Sequence, residues 1–131
     1  MKPSELAMEI SEKLQKLYDA TYQYVSEHQG ERGYIDTQNE SNDCIYAMHC
    51  DDRDGTFCEY KVRAVRCNEK TRLLQIVCED ISFREDYQPD DFELTEEDIS
   101  HAEWLDLDSW GEVLYAETVW SIASSIEEYV E

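Results

Sequence analysis

The sequence has few basic residues and no long apolar run. Its 131 residues include 11 lysines and arginines against 32 aspartates and glutamates, which gives a net charge of −21. Such a charge repels DNA, RNA and anionic membranes, so we expect no direct binding to nucleic acid or to a membrane surface. The apolar runs are a few residues long, far short of the roughly 20 residues of a membrane span.

Signals for export and for disulfide formation are also missing. The N-terminal segment MKPSELAMEISEKL carries charge throughout and has no apolar stretch typical of a secretory signal. The five cysteines are odd in number. We interpret them as reduced thiols, most of which act as small hydrophobic residues. The sequence therefore predicts a cytoplasmic protein.

Motifs for metal, nucleotide or nucleophilic chemistry are missing as well. There is no CxxC or HxxxH spacing for zinc, no P-loop and no GxGxxG. The segment DRDG at residues 52–55 resembles part of a calcium loop, but Cys50 and Lys61 would then stand where carboxylates are needed. A hairpin turn explains it better.

His49 and Cys50 are adjacent, so in a strand they point to opposite faces. We predict no metal or cofactor and favour a protein that is not an enzyme.

Regular patterns predict one long helix followed by strands. Residues 4–28 carry apolar side chains at helical spacing, with Ser4 as the N-cap. Alternation of apolar and polar residues predicts strands at 44–50, 57–67 and 73–80, joined by tight turns. Tyr34 and Ile35 are predicted to form a short edge strand.

The C-terminal part begins with an acidic loop and ends in helices. Thr95 and Asp98 approximate a capping box, which predicts a short helix at about 96–104. A last helix carries Trp120 on one face with apolar neighbours, and we expect Trp120 in the core. Gly111 disfavours an early start for this helix, so residues 112–115 could be extended instead. The expected apolar face consists of Val119, Trp120, Ile122, Ala123, Ile126 and Val130.

These elements predict one α+β domain spanning residues 1–131. An antiparallel three-stranded meander is covered on one face by the N- and C-terminal helices, in a two-layer α-β-β-β-α arrangement. The opposite face, with Glu59, Lys61 and Arg63, would be exposed or would meet a partner. The side chains expected to face the helices are Cys58, Tyr60, Val62, Ala64, Leu74, Ile76 and Cys78.

Four short phrases carry a resemblance to known sequences. These are GYIDT at 33–37, DCIY at 43–46, VRAVR at 62–66 and IEEYV at 126–130. They resemble segments of a group of small acidic bacterial proteins of unknown function. The group has no assigned activity, so the resemblance implies no catalytic or binding residue.

The acidic residues are concentrated toward the C-terminus. Residues 1–80 carry 16 acidic and 10 basic residues, whereas residues 81–131 carry 16 acidic residues and a single arginine, Arg84. Acidic groups steer basic partners, and large aromatic residues anchor interfaces. We therefore predict that the segment 83–115 binds a basic protein surface. Its candidate binding residues are Tyr87, Phe92, Trp104, Trp110, Glu96, Glu97 and Asp98.

Two alternatives concern the charges themselves. The acidic residues could serve solubility alone. The one basic cluster either pairs with the acidic C-terminal half or forms a second contact surface. This cluster consists of Lys61, Arg63, Arg66, Lys70 and Arg72.

The sequence thus supports one function best and leaves two alternatives. The first is a non-enzymatic interaction or regulatory domain. The second is a DNA mimic that inhibits a DNA-binding protein by presenting carboxylates in place of phosphates, and the third, least supported, is an enzyme or metal protein. The sequence indicates no particular oligomeric state.

Overall fold

A computed structural model describes residues 2–38, 45–51, 56–80, 94–108 and 112–130. Three α-helices and five strands make up these parts, so the predicted α+β class is confirmed. The helices are α1 Pro3–His28, α2 Glu96–Ser100 and α3 Glu112–Ser125, and α3 continues as a 3-10 turn over Ile126–Tyr129. The strands are β1 Ile35–Asp36, β2 Tyr46–Asp51, β3 Thr56–Asn68, β4 Leu73–Asp80 and β5 Leu105–Leu107.

Helix α1 begins one residue earlier than predicted. Pro3 occupies the first turn, where its fixed φ suits a helix and its missing N–H costs nothing. The N-cap is therefore Lys2 and not Ser4, and the backbone N–H of Lys2 donates to the Glu5 carboxylate at 3.3 Å. The helix ends at His28, and Gly30 follows with φ +68°, the left-handed conformation that commonly terminates helices.

Strand β3 is the centre of a five-stranded sheet. One of its edges pairs antiparallel with β4. Its other edge pairs with β2 along its first half and with β1 at Ala64 and Val65. Strand β5 pairs with the outer edge of β4, where Leu107 lies opposite Leu74. The three predicted strands of the meander correspond to β2, β3 and β4. The short edge strand was predicted at Tyr34 and Ile35, one residue before β1, and β5 was not predicted.

A β-bulge in β3 changes which side chains face the helices. The register with β4 steps from Val62↔Cys78 to Ala64↔Val77, so Arg63 is an extra residue in the strand. Val62 and Val65 both lie in the core under the helices, whereas Ala64 lies on the other face. The prediction that Ala64 faces the helices is therefore wrong, because one inserted residue reverses the alternation.

Thr37 fixes the backbone of this bulge. Its backbone N–H donates to the Arg63 carbonyl at 3.1 Å, and its hydroxyl donates to the Val62 carbonyl at 2.9 Å. On the same strand, the Val62 N–H donates to the Ile45 carbonyl at 2.8 Å. Thr37 is itself buried. The polar backbone groups around the inserted residue are thus paired even though they are removed from water.

The main core lies between the two long helices and one face of the sheet. Helix α1 packs on β3 and against α3, and α3 packs on β2, which confirms that the two long helices cover the same face of the sheet. Tyr60, Leu74, Ile76 and Cys78 face this core as expected, and Cys58 and Glu59 lie outside the residues whose side chains are described. Fully buried members are Val25, Ile45, Ala47, Val62, Val65, Leu74, Ile76, Leu107, Val119 and Ile122.

The opposite face of the sheet is also covered, which corrects the expectation of an exposed polar face. The side chains of Lys61 and Arg63 are only 2% and 0% exposed. A second cluster of apolar residues packs there and comes from β3, β4, the residue before β1, and the stretch from Leu94 to Trp104 that includes α2. Its members are Tyr34, Ala64, Val77 and Ile99, with Leu94, Ala102 and Trp104 packed against them.

Helix α3 differs from its prediction at two points. It begins at Glu112, so the extended alternative for residues 112–115 is wrong. Val119, Ile122 and Ile126 are buried as expected, but Trp120 is 65% exposed. Among the described helices, none is both long and apolar enough to cross a lipid bilayer.

A candidate interaction surface

The predicted acidic residues of α2 lie together at the surface. Glu96, Glu97 and Asp98 form the first turn of this helix and are exposed. The predicted capping box is confirmed: Asp98 N–H donates to the Thr95 hydroxyl at 3.1 Å, and Thr95 N–H donates to the Asp98 carboxylate at 3.0 Å. The hydrogen bond from the Thr95 backbone holds the pKa of Asp98 below its usual value. Asp98 therefore remains ionised, but its position is set by the cap.

The apolar side of α2 and the residue before its cap attach this acidic turn to the sheet. Ile99 is buried in the second cluster. The side-chain amide of Gln38 bridges to Leu94: its oxygen accepts from Leu94 N–H at 2.7 Å, and its nitrogen donates to the Leu94 carbonyl at 3.0 Å. The Gln38 oxygen also accepts from the Arg63 guanidinium at 3.0 Å. Gln38 thus joins the bulge residue to the start of the acidic surface.

Trp104 packs within the protein and is half-buried. The guanidinium carbon of Arg66 lies 4.1 Å from the centre of its indole ring. The ring of Tyr34 lies 6.1 Å away in a tilted arrangement, and the Arg32 guanidinium lies 4.6 Å from the Tyr34 ring. Stacking of this kind contributes about 0.5–2 kcal/mol per contact. Trp104 therefore holds the segment between α2 and β5 against β3, with part of its ring at the surface.

Arg66 is connected to β5 through a second chain of polar contacts. Its Nε donates to Gln75 Oε1 at 2.7 Å, and Gln75 Nε2 donates to the Asp106 carboxylate at 2.7 Å. Partial burial lowers the pKa of Arg66 from its usual value. Asp106 remains exposed. This carboxylate is oriented by an amide and not neutralised by direct contact with the cation.

The predicted basic cluster is therefore divided into three environments. Lys61 and Arg63 are buried, and Arg66 is half-buried against Trp104 of the C-terminal half. Lys70 and Arg72 are exposed in the turn between β3 and β4, where Arg72 adopts φ 59° and lies 5.9 Å from the Tyr22 ring. The five residues do not form one continuous basic surface.

Three of the predicted binding residues, Tyr87, Phe92 and Trp110, lie outside the described residues. Trp104, Glu96, Glu97 and Asp98 belong to one continuous segment, α2 and the residues that lead to β5. Three further carboxylates that the prediction did not single out are exposed: Glu103 in this segment, Asp106 in β5 and Asp108 just after it.

Trp120 is a surface residue that the sequence interpretation missed. At about 100° per residue, Trp120 lies about 160° around the helix from Ile122 and about 120° from Ile126. Its apolar character led to its assignment to the core, although these angles place it on the far side of α3. An exposed tryptophan is a common anchor of protein interfaces. It lies on the helical layer, whereas α2 covers the other face of the sheet.

Cys67 is the cysteine with the best defined environment. Its thiol donates to the Tyr22 carbonyl at 3.2 Å. Burial, aided by the nearby Glu69 carboxylate, raises the pKa of Cys67 to about 11. The thiol is thus protonated and unreactive at neutral pH, in agreement with its interpretation as a small hydrophobic residue.

Open grooves on the described surface offer no set of converging reactive groups. One groove, of about 840 Å³, lies where α1 ends and includes His28, Arg32, Asp36 and Glu128. The His28 ring stacks on Tyr24 at 4.0 Å, and its Nδ1 lies 2.8 Å from the Tyr24 carbonyl. Within the described ranges, no three histidine, cysteine or acidic residues are grouped so that they could hold a metal ion.

Comparison of the chain with protein-family models, curated proteins and solved structures gave no match. The resemblance to small acidic bacterial proteins therefore stays a prediction.

Proposed function

We propose that the protein is a non-enzymatic interaction domain that binds a basic protein surface through residues 94–108. This acidic surface consists of α2, β5 and the residues between and beside them. The observation that supports it is the separation of charge in the fold. Its carboxylates are exposed, while two cations of β3, Lys61 and Arg63, are buried.

The acidic surface lacks cations of its own. Residues 94–108 contain six aspartates and glutamates and neither lysine nor arginine. Arg66, a cation in contact with this segment, stacks on Trp104 and is linked to Asp106 through Gln75. The local field is therefore negative, and such a field steers basic partners and raises their association rate.

The backbone of this surface is held in place before any partner binds. Ile99 anchors α2 in the second cluster, Thr95 and Asp98 close its first turn, and Gln38 fixes Leu94. Preorganisation of this kind lowers the entropy lost on binding. It also favours one orientation of the carboxylates toward a partner.

Affinity capture from a host lysate tests this proposal with two charge-matched variants. The test variant carries Glu96→Gln, Glu97→Gln and Glu103→Gln. The control carries Glu12→Gln, Glu31→Gln and Glu127→Gln, which are exposed elsewhere. At about 0.2–1 kcal/mol per exposed ion pair, the test variant should bind a specific partner roughly tenfold more weakly, while the control should bind like the wild type.

Two results would contradict the proposal. Equal loss in both variants would mean that only total charge matters, and the absence of any specific partner at low salt would remove the interaction itself. If the captured protein binds DNA, failure of the protein to displace that DNA at moderate salt would exclude the DNA-mimic alternative.

A further inference from the structure

The first half of α1 extends beyond the core and exposes apolar side chains. Every residue from 2 to 13 is exposed, whereas Tyr18, Thr21 and Val25 farther along the helix are buried. Leu6 is 47% exposed and Ile10 is 66% exposed. At 1.5 Å per residue, this arm of residues 3–13 is about 16 Å long.

The exposed apolar residues continue the face that packs on the core. Leu6, Ile10 and Leu14 follow each other at four-residue spacing, so each lies about 40° around the helix from the previous one. Leu14 and Leu17 are half-buried against the main core. The arm thus presents an uncovered apolar stripe that ends where the core begins. Helices of this length are marginal in water unless such a stripe is covered by packing.

Charge identifies what covers the stripe. Residues 2–16, which comprise the arm and the residues that flank it, carry three acidic and three basic residues, so this stretch is neutral in a chain of net charge −21. A strongly basic partner would gain little from this neutral surface. A second copy of the chain would meet the least repulsion here, because the excess of negative charge lies elsewhere.

The order of the charges favours an antiparallel pair. Glu5 and Glu9 precede Lys13 and Lys16 along the arm. When two arms run in opposite directions with Ile10 near the two-fold axis, Glu9 approaches Lys13 of the other copy and Glu5 approaches Lys16. Each pair then occurs twice, as a two-fold axis requires.

The position of the charges around the helix agrees with this direction. Glu9 and Lys13 lie on one flank of the stripe, about 100° and 60° from Ile10. Antiparallel helices bring the same flank of both copies together, whereas parallel helices would place this charged flank against the uncharged one. The uncharged flank carries Ser4, Ser11 and Gln15.

We propose that the protein self-associates through the arm of residues 3–13, which packs antiparallel against the same arm of a second copy. The N-terminus of each arm then points toward the place where the other arm joins its core. The contact involves about three turns from each copy. This is smaller than a standard interface of about 1,600 Å², so the dimer should be weak and concentration-dependent.

Sedimentation equilibrium of the full chain at physiological salt tests this proposal. The average mass should rise from 15.5 kDa toward twice that value over roughly 5–500 µM. Ile10→Gln should raise the dissociation constant at least tenfold. Met8→Gln is the matched control, because Met8 is 64% exposed but lies about 160° around the helix from Ile10, and it should leave the constant unchanged.

Charge exchange tests the direction of pairing. Lys13→Glu with Lys16→Glu should weaken the dimer, because glutamates would then face Glu5 and Glu9 of the other copy. Adding Glu5→Lys and Glu9→Lys to the same chain should restore it. A dimer that the first change leaves intact would overturn the antiparallel arrangement.

Other outcomes would overturn the proposal as a whole. A constant mass of 15.5 kDa over the range would show that the arm does not bind a second copy. A dimer that persists in Ile10→Gln, or that Met8→Gln disrupts equally, would place the contact outside the stripe.

Discussion

Tyr18 allows the energetics of the core to be tested at a single oxygen atom. Its hydroxyl donates to the Leu107 carbonyl at 2.7 Å and accepts from the Leu74 N–H at 2.7 Å. Leu74 and Leu107 are opposite each other in β4 and β5, so this side chain of α1 completes the pairing at the edge of the sheet. The site is buried, so water cannot replace the hydroxyl.

We predict that Tyr18→Phe lowers the free energy of unfolding by about 2–4 kcal/mol. The ring and its packing are retained, but two buried backbone groups lose their partner, and each such loss costs about 1–3 kcal/mol. For a chain of this length, a loss of 1 kcal/mol in the free energy of unfolding lowers the Tm by about 3–4 °C, so the Tm should fall by roughly 7–15 °C. Chemical denaturation and thermal unfolding measure the two quantities.

Tyr22→Phe is the matched control on the same helix. The Tyr22 hydroxyl is 3.4 Å from the Asn68 carbonyl, and that carbonyl also accepts from the Arg72 N–H at 2.8 Å. Its loss should therefore change the free energy of unfolding by less than about 0.5 kcal/mol. If the two variants are equally stable, or if Tyr18→Phe changes stability by less than about 0.5 kcal/mol, the hydroxyl does not bridge the strands as described.

Three further predictions concern the second face, the buried thiol and a turn. Gln38→Ala should cost about 1–3 kcal/mol, because it removes the bridge to Leu94, and hydrogen exchange should show faster exchange of the Leu94 amide. In the folded protein the pKa of Cys67 is about 11, whereas a free thiol has a pKa of about 8.5. The buried thiol therefore contributes fully to the stability of the fold below about pH 8.5, and this contribution is lost as the pH rises toward 11. Denaturation of Cys67→Ala should accordingly show a shallower decline between pH 8 and 11 than the wild type. Gly33→Ala should lower the free energy of unfolding by about 1 kcal/mol because Gly33 has a φ of +83°, even though no atom lies within 4 Å of an added Cβ. An unchanged Tm would argue against backbone strain at this turn.

The parts of the fold that sequence predicted well are those with long periodic patterns. Helix α1 repeats its apolar positions over most of its length, and β4 alternates from Leu73 to Asp80, so both were placed to within a residue. Strand β5 contains only three residues and could not be recognised from alternation. Its pairing depends on the outer edge of β4, a tertiary contact that the local pattern does not contain.

The bulge and the exposed tryptophan were missed for different reasons. A strand of period two cannot place both Val62 and Val65 on one face, and this three-residue spacing was a signal of an inserted residue. Trp120 was assigned to the core because it is apolar, although its position around α3 places it on the side away from Ile122. The candidate site was predicted in part, since α2 and its cap follow from local sequence, whereas the contacts of Trp104 with Arg66 and Tyr34 depend on the tertiary fold.

Lys61 and Arg63 were expected at the surface because they alternate with apolar residues along the predicted strand. The burial of Arg63 links the stability of the fold to the presentation of the acidic surface. Arg63 donates to the same Gln38 oxygen that accepts from Leu94, at the point where the acidic surface begins. Loss of Gln38 should therefore weaken partner binding as well as stability, whereas Tyr18→Phe, on the other side of the sheet, should lower stability and leave binding by the folded fraction unchanged. If both substitutions affected binding equally, the acidic surface would depend on global stability and not on this contact.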